Sequence, residues 1–509
     1  MSQRNSHFET VPASEPPRRE PGLVPREVGR RLRLLFVMAV VVAGTAVADG
    51  LVGRSGSPVS PAGPSGSATW AAVSASDAES SAWFCVGGSG AGGGALGTLV
   101  LTNATARAVS GTVLAAPAGG AAVSTRVSVP ARSQIGMVPA QVAPGSWVAA
   151  TVLFDGGGVG VSEVVAGPLG WSTAPCASST ASNWYFAHGS TASGASLSLS
   201  VYNPSTTDAV VNVTLDSASA GVVQPPAYQG IAVPGGSLVV ENISDHLTND
   251  PDVAAEVTTS SGTVVAAELQ STPQAGGGGG SSLLLGVPSP VSEWDFPQNV
   301  DPPGGSVVFY VFNPSDHEAS VSVKVGLAQG LAQGLAQGGA EPLSLRVLPH
   351  SATELVAESE TRIPVSGPYA LEFSAGGGVG IVVDREVVAQ AGSATPSVGQ
   401  VHGVPGGAAR TLLPAVIPPG TGATSLAILA LSSHPVTVTV SSAARGVPVA
   451  DLDRRVVQPG MSLIVTAQPG SALGVVPLLV VASGPVAIEL DAAPAGAPGV
   501  VVVPALVLG

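Results

Sequence analysis

The sequence predicts an all-β protein: tandem immunoglobulin-like β-sandwich modules behind a single N-terminal hydrophobic helix. Three observations predict it. First, 66 Gly and 44 Pro among 509 residues place turns throughout the chain and leave little room for long helices. Second, beyond residue 80 the chain is a succession of short Val- and Ala-rich runs with period-two alternation, each closed by Gly, Pro or Asn. Third, landmarks recur about every 100–116 residues, as a repeated domain requires.

Residues 34–48, LLFVMAVVVAGTAVA, follow directly on Arg30, Arg31 and Arg33, which is the form of an export signal. If retained, the segment must run on to residue 52 to approach the roughly 20 residues that a bilayer needs, with 1–33 as a basic cytoplasmic leader. If cleaved, Ala46-Val47-Ala48 is the small-x-small site and the protein is secreted. Both readings put the chain beyond residue 50 outside the cytoplasm, as a single-pass membrane protein or a secreted one. Residues 53–80, rich in Ser, Pro and Gly, read as a disordered stalk. The two cysteines agree with export: Cys85 and Cys176 lie near the two ends of the first module, where one disulfide would tie its first strand to its last, the alternative being two buried thiols.

Four modules follow, at 81–178, 181–274, 283–395 and 400–509. The first three open on aromatics: Trp83-Phe84-Cys85, Trp184-Tyr185-Phe186 and Trp294-Asp295-Phe296. Some 20 residues on, an alternating strand ends in Asn103, Asn203 or Asn313, and a second alternating run follows at once. Asn bonds its own backbone and Pro sets φ, so Asn-Pro-Ser between two such runs predicts a hairpin. Each module closes on a strand such as GVGVSEVV, GTVVAAEL, GVGIVVDR or GPVAIELD, which reads as half-buried. The fourth has no opening Trp. Residues 275–282, AGGGGGSS, read as a flexible break, and the GLAQ repeats of 326–339 as an exposed hairpin loop.

Trp184 to Thr191, WYFAHGST, with Asn203-Pro204-Ser205 and the alternating VVNVTL behind it, resembles a repeat of uncharacterised exported bacterial proteins, written roughly WYFAEGST with a later L-x-N-P. From 80 to 505 the chain is similar to an actinobacterial envelope family classed only as a domain of unknown function. His188 stands where that family usually carries Gly or Glu. The resemblance implies location and fold, and carries no catalytic residues.

A search for chemistry finds little. The chain carries 19 basic against 33 acidic residues, a net charge of −14 that repels polyanions and excludes nucleic acid as a partner. No GxSxG elbow or HExxH is present, the seven His are scattered, and GSGAGG at 88–93 leads into a strand instead of a helix, so it is no dinucleotide fingerprint. No catalytic, cofactor-binding or metal-ligating residue is therefore expected. Glu241, Asp245, Asp250, Asp252, Asp295 and Asp301 read as a solvated acidic rim, with Ca²⁺ ligation as the sharper alternative. The opening Trp residues read as core plugs; in the alternative, Trp184, Tyr185, Trp294 and Phe296 are exposed platforms on which a sugar stacks. The resulting expectation is a noncatalytic cell-envelope scaffold projecting from the membrane toward wall polymers or envelope proteins, or a carbohydrate-binding protein that uses those aromatics.

Overall fold

The computed structural model describes residues 71–88, 95–274, 278–301, 305–329, 341–364, 367–389, 397–416, 424–467, 473–492 and 501–509. The leader, the segment 34–52 and the stalk up to residue 70 lie outside them. Among the described residues no helix is long and apolar enough to cross a membrane.

Strand β1 is Ala72–Val73, within the stretch expected to be stalk. The first module contains β2 Ser81–Cys85, β3 Leu96–Asn103, β4 Val109–Pro117, β5 Val123–Val129, β6 Gln134–Met137, β7 Val148–Phe154, β8 Val159–Gly167 and β9 Gly170–Pro175. The second has β10 Asn183–Phe186, β11 Ser196–Asn203, β12 Ala209–Ser217, β13 Gly221–Val223, β14 Ile231–Val233, β15 Ser237–Asn242, β16 Val253–Ser261, β17 Val265–Gln274 and β18 Gly278–Leu285. The third has β19 Glu293–Asn299, β20 Ser306–Asn313, β21 Ala319–Leu327, β22 Leu343–Val347, β23 Ser351–Val356, β24 Tyr369–Ala375, β25 Val382–Ala389 and β26 Ser397–His402. The fourth has β27 Ala408–Leu413, β28 Thr424–Ala430, β29 Val436–Ser442, β30 Arg455–Val457, β31 Ser462–Ala467, β32 Leu478–Ala492, β33 Val501–Pro504 and β34 Leu506–Leu508.

Every module uses one plan. In the first, sheet β2-β7-β4-β5 packs on sheet β6-β3-β8-β9, and Trp83, Val113 and Val152 from one layer meet Leu99, Leu101 and Val161 from the other. The second and third repeat this order as β10-β16-β12 with β15-β11-β17-β18, and β19-β24-β21-β22 with β23-β20-β25-β26. In the fourth, the two strands that should be successive are one, β32. Its first half pairs with β27 and β29, its second with β28 and β33. Between the halves lie Gly484 and Pro485, where the missing proline N–H interrupts the ladder.

The expected Asn hairpins are corners instead. β3 and β4 lie in opposite sheets, as do β11 and β12, and β20 and β21. The asparagine explains why. Asn103 Oδ1 accepts the Thr105 N–H at 2.8 Å, making the local turn, while its Nδ2 donates to Arg107 O at 2.7 Å and to Val129 O at 3.1 Å. Asn203 does the same with Ser205 N, Thr207 O and Val233 O, and Asn313 with Ser315 N, His317 O and Val347 O. One buried amide thus fastens the end of a strand in one sheet to a strand of the other.

The modules do not run out as an extended row; they close on one another. β9 lies against β18 and β33, and β26 lies against the same two, so the last core strands of the four modules surround a common axis. β18 and β26 meet in parallel at Gly279 and Ser397, making one eight-stranded sheet of two modules. The glycine run is therefore a close contact in its described part: a Cβ on Gly280 would lie 1.8 Å from Val398 O. The ring is completed by β34, which pairs antiparallel with β27 and parallel with β1. Leu412 and Leu506 of the fourth module enter the core of the first, and Val100 and Trp171 of the first enter that of the fourth. Apolar side chains on outward faces need a neighbour, and an extended row would leave these in water.

Candidate functional site

The opening tryptophans are core plugs with one polar tether each. Trp83, Trp184 and Trp294 are all 0% exposed. Their Nε1–H groups donate to Val159 O at 3.0 Å, Val264 O at 2.9 Å and Ile381 O at 2.8 Å, each at the entry to β8, β17 or β25. Phe296 is 1% exposed and Tyr185 is half-buried. Trp184, Trp294 and Phe296 thus have no face free for a sugar, and every described Phe, Tyr and Trp is buried or half-buried. Cys85 and Cys176 are joined in a disulfide with Cα atoms 4.6 Å apart, linking β2 to the residue after β9.

What the WYFAHGST motif builds is a buried polar junction. Past Phe186 the chain leaves its own sandwich and lies on the third module, where the Ala187 and His188 N–H groups both donate to Asp384 Oδ2 at 3.1 Å. The His188 ring is sandwiched. Its Nδ1 is 2.8 Å from Asp252 Oδ1, its Nε2 is 3.6 Å from Glu386 Oε2, and it stacks on Tyr310 with centroids 3.5 Å apart. Burial alone would push its pKa down. Hydrogen bonds to Asp252 and Glu386 outweigh burial and raise it to about 10, so at neutral pH the ring is a fixed imidazolium and no general base. Asp384 also bonds His402 Nδ1, whose Nε2 is 2.8 Å from Leu285 O. Nearby, both oxygens of Glu268 are buried without a partner. Burial and the Asp384 charge hold its pKa well above the usual carboxylate range.

The next junction repeats the geometry with other chemistry. Gln298 lies four residues after Trp294, as His188 lies four after Trp184. Its Nε2 donates to Asp491 Oδ2 at 3.0 Å, and its Oε1 accepts the Ser425 hydroxyl at 2.7 Å. Arg385 lies over the Phe296 ring, donates to Asn299 Oδ1 at 2.8 Å and pairs with Glu489 of the fourth module. Burial lowers the guanidinium pKa, but Glu489 and Asp491 outweigh it and keep the charge on. Burial and the Glu489 carboxylate raise Asp491 well above the ordinary range. Alternation along β25 thus sends Asp384 and Glu386 to one neighbour and Arg385 to the other.

These residues correct two expectations. Asp250, Asp252 and Asp295 are buried, not a solvated rim; Asp250 accepts hydrogen bonds from Ser217, Ser219 and the Asp252 N–H. Among the described residues, no group of three or more His, Cys, Asp or Glu could hold a metal ion. The strands expected to be half-buried are buried on both faces, since one packs in the sandwich and the other on a neighbouring module. Sequence reasoning missed Glu163, Glu268, Arg385 and Glu489 for that reason. The signal was present: a charged residue at nearly one place in four copies of a chain that is 10% charged.

One solved structure, titled "Crystal Structure of Thermotoga maritima 1070", is similar to part of the chain at 15% identity, covering 23% of this chain and 94% of that one, with a TM-score of 0.19. A likeness that slight carries no argument here. No curated protein matches the chain. The model of one family matches residues 158–468, from β8 through β31, and so takes in the whole of the second and third modules, with the His188 junction and the Arg385 side of the next one. This chain belongs to that family, the family of unknown function DUF5719.

Proposed function

We propose that the protein is a noncatalytic scaffold of the cell envelope, anchored through residues 34–52 or released by cleavage after Ala48. Its modules offer loops and sheet edges to wall polymers or other envelope proteins. The observation that carries this reading is the use to which the conspicuous polar side chains are put. His188, Asp252, Asp384, Glu386 and His402 satisfy one another across a module junction, as Arg385 and Glu489 do across the next. Groups held in this way fasten modules together; a reacting group must meet its substrate. The disulfide and the basic, apolar leader favour an oxidising space outside the cytoplasm.

Cell fractionation with protease shaving and thiol trapping tests the proposal. The expected result is a chain in the envelope or medium, digested from outside, with Cys85 and Cys176 protected from alkylation until reduced. A cytoplasmic chain with two free thiols would overturn it.

A further inference from the structure

On their common axis the described parts of the four modules leave a half-open hollow of about 110 Å³. Every module gives it apolar wall: Ala174 of β9, Leu284 of β18, Val401 of β26, Ile488 of β32, and Ala505 just before β34. The polar groups on the wall are spoken for. The Thr173 hydroxyl donates to Glu163 O at 3.0 Å, the His402 ring bonds Asp384 and Leu285, Glu489 pairs with Arg385, and the Thr411 hydroxyl is buried. What fits such a wall is hydrocarbon.

The chain's own course says which. Ala71 is also on the wall, and the residue before it is Trp70, the sole aromatic of 53–80. Consecutive Cα atoms are 3.8 Å apart, so the indole of Trp70 starts at the edge of the hollow and needs no further chain to enter it. β1 runs parallel to β34 with Ala72 opposite Val507, another wall residue, so the chain reaches β1 along the hollow. Shape agrees. An engineered apolar cavity of about 150 Å³ takes up benzene. A smaller one that is open at its mouth takes the six-membered half of an indole and leaves the N–H at the mouth, which suits a ring with one apolar and one polar end. We propose that Trp70 closes this hollow, a plug that seats the end of the stalk on the axis where all four modules meet. A pull through residues 34–52 then reaches β9, β18, β26 and the fourth module together. That mechanical consequence rests on the anchoring proposed above; the seat of Trp70 does not.

The readout is the surroundings of the indole, in the purified full chain in detergent, wherever the protein resides. Subtracting the emission of Trp70→Phe from that of the native chain isolates Trp70. The difference spectrum should lie at the short wavelength of a buried indole, and acrylamide should quench it several-fold less than N-acetyltryptophanamide. Ala505→Phe and Val507→Phe each grow a ring into the hollow from its wall. Either one, compared with the same variant carrying Trp70→Phe, should expel Trp70: the difference spectrum moves to long wavelength and quenching becomes complete. Two fillers keep the test decisive if one fails to unfold cooperatively. An exposed Trp70 in the native chain overturns the proposal. So does a protected Trp70 that the folded fillers leave in place, which means a seat elsewhere, and so does protection lost on dilution, which means a seat on a second copy.

Discussion

The two junctions flanking the third module are fastened by buried charge, whereas the seam between the fourth module and the first is fastened by backbone pairing and apolar side chains. At the former, His188 and Arg385 each hold acids of, or from, a neighbour. At the latter, β1 pairs β34, Leu412 and Leu506 fill the first module's core, and Gln134 exchanges hydrogen bonds with the Ala415 backbone at 2.6 and 2.9 Å. Apolar contact is non-directional and tolerates small shifts. A buried ion pair does not: a slip that parts the charges leaves each one desolvated and uncompensated. Among modules of similar shape, the charged junctions therefore discriminate the right neighbour, and the apolar seam supplies closure.

Arg385→Met should produce the largest effect. It leaves Glu489 buried without its cation and should cost about 3–5 kcal/mol in equilibrium urea unfolding, while adding Glu489→Leu should restore most of the loss. A single variant with an unchanged midpoint would break the contrast. Next comes the disulfide, which spans a sequence separation of 91 in the module beside the apolar seam. Reduction or Cys85→Ser should cost about 4 kcal/mol, read as a lower melting temperature than that of the oxidised protein.

Acidity separates the regions further. His188 is raised from 6.5 to about 10, so its stabilisation is fully present below pH 6.5 and is lost as pH rises through 10. Glu163, in the first module, is raised from 4.5 to about 8 by burial, against the opposing effect of the Gly88 backbone N–H. The native state keeps that proton where the unfolded chain has released it, so stability falls as pH rises from 4.5 to 8 and then levels. His188→Gln should flatten the upper window and Glu163→Gln the lower, each by on the order of 2–3 kcal/mol in unfolding midpoints measured from pH 5 to 9. If either variant alone removed both slopes, the two sites would not be separate.

The smallest change compares one hydrogen bond at two places. Ser172 Oγ accepts the Leu283 N–H between the first and second modules, and Ser282 Oγ accepts the Gln400 N–H between the second and third, both at 3.0 Å. Each Ser→Ala variant should lose about 1 kcal/mol. A much larger loss at Ser282 would show that the charged junction amplifies its neighbours.

Local physics made much of this legible in the sequence. Period-two alternation marks strands such as β4, β12 and β21, and an Asn able to bond its own backbone two residues on marks the turn at 103, 203 and 313. A lone bulky Trp in a small Val-rich module had to be its plug, and two cysteines near the ends of one module had one partner each to find. Glu163 shows where legibility stops. Its strand alternates as an exposed-faced strand would, yet a Cβ on Gly88 or Gly97 would come within 2.3 or 2.9 Å of its Oε1, so the carboxyl occupies space that glycines leave inside the module.

The sequence alone determined that the chain is built of short alternating strands, that it turns at Asn103, Asn203 and Asn313, and which two cysteines could bond, because those depend on residues close in the chain or on a pair without a rival. Only the tertiary structure decided that the Asn turns are corners, that four modules close around an axis, and that His188, Arg385 and Glu268 lie in the dark between them. Those outcomes depend on which faces meet. Faces are chosen by partners a hundred or more residues away, whose pairing leaves no mark on any single stretch of sequence.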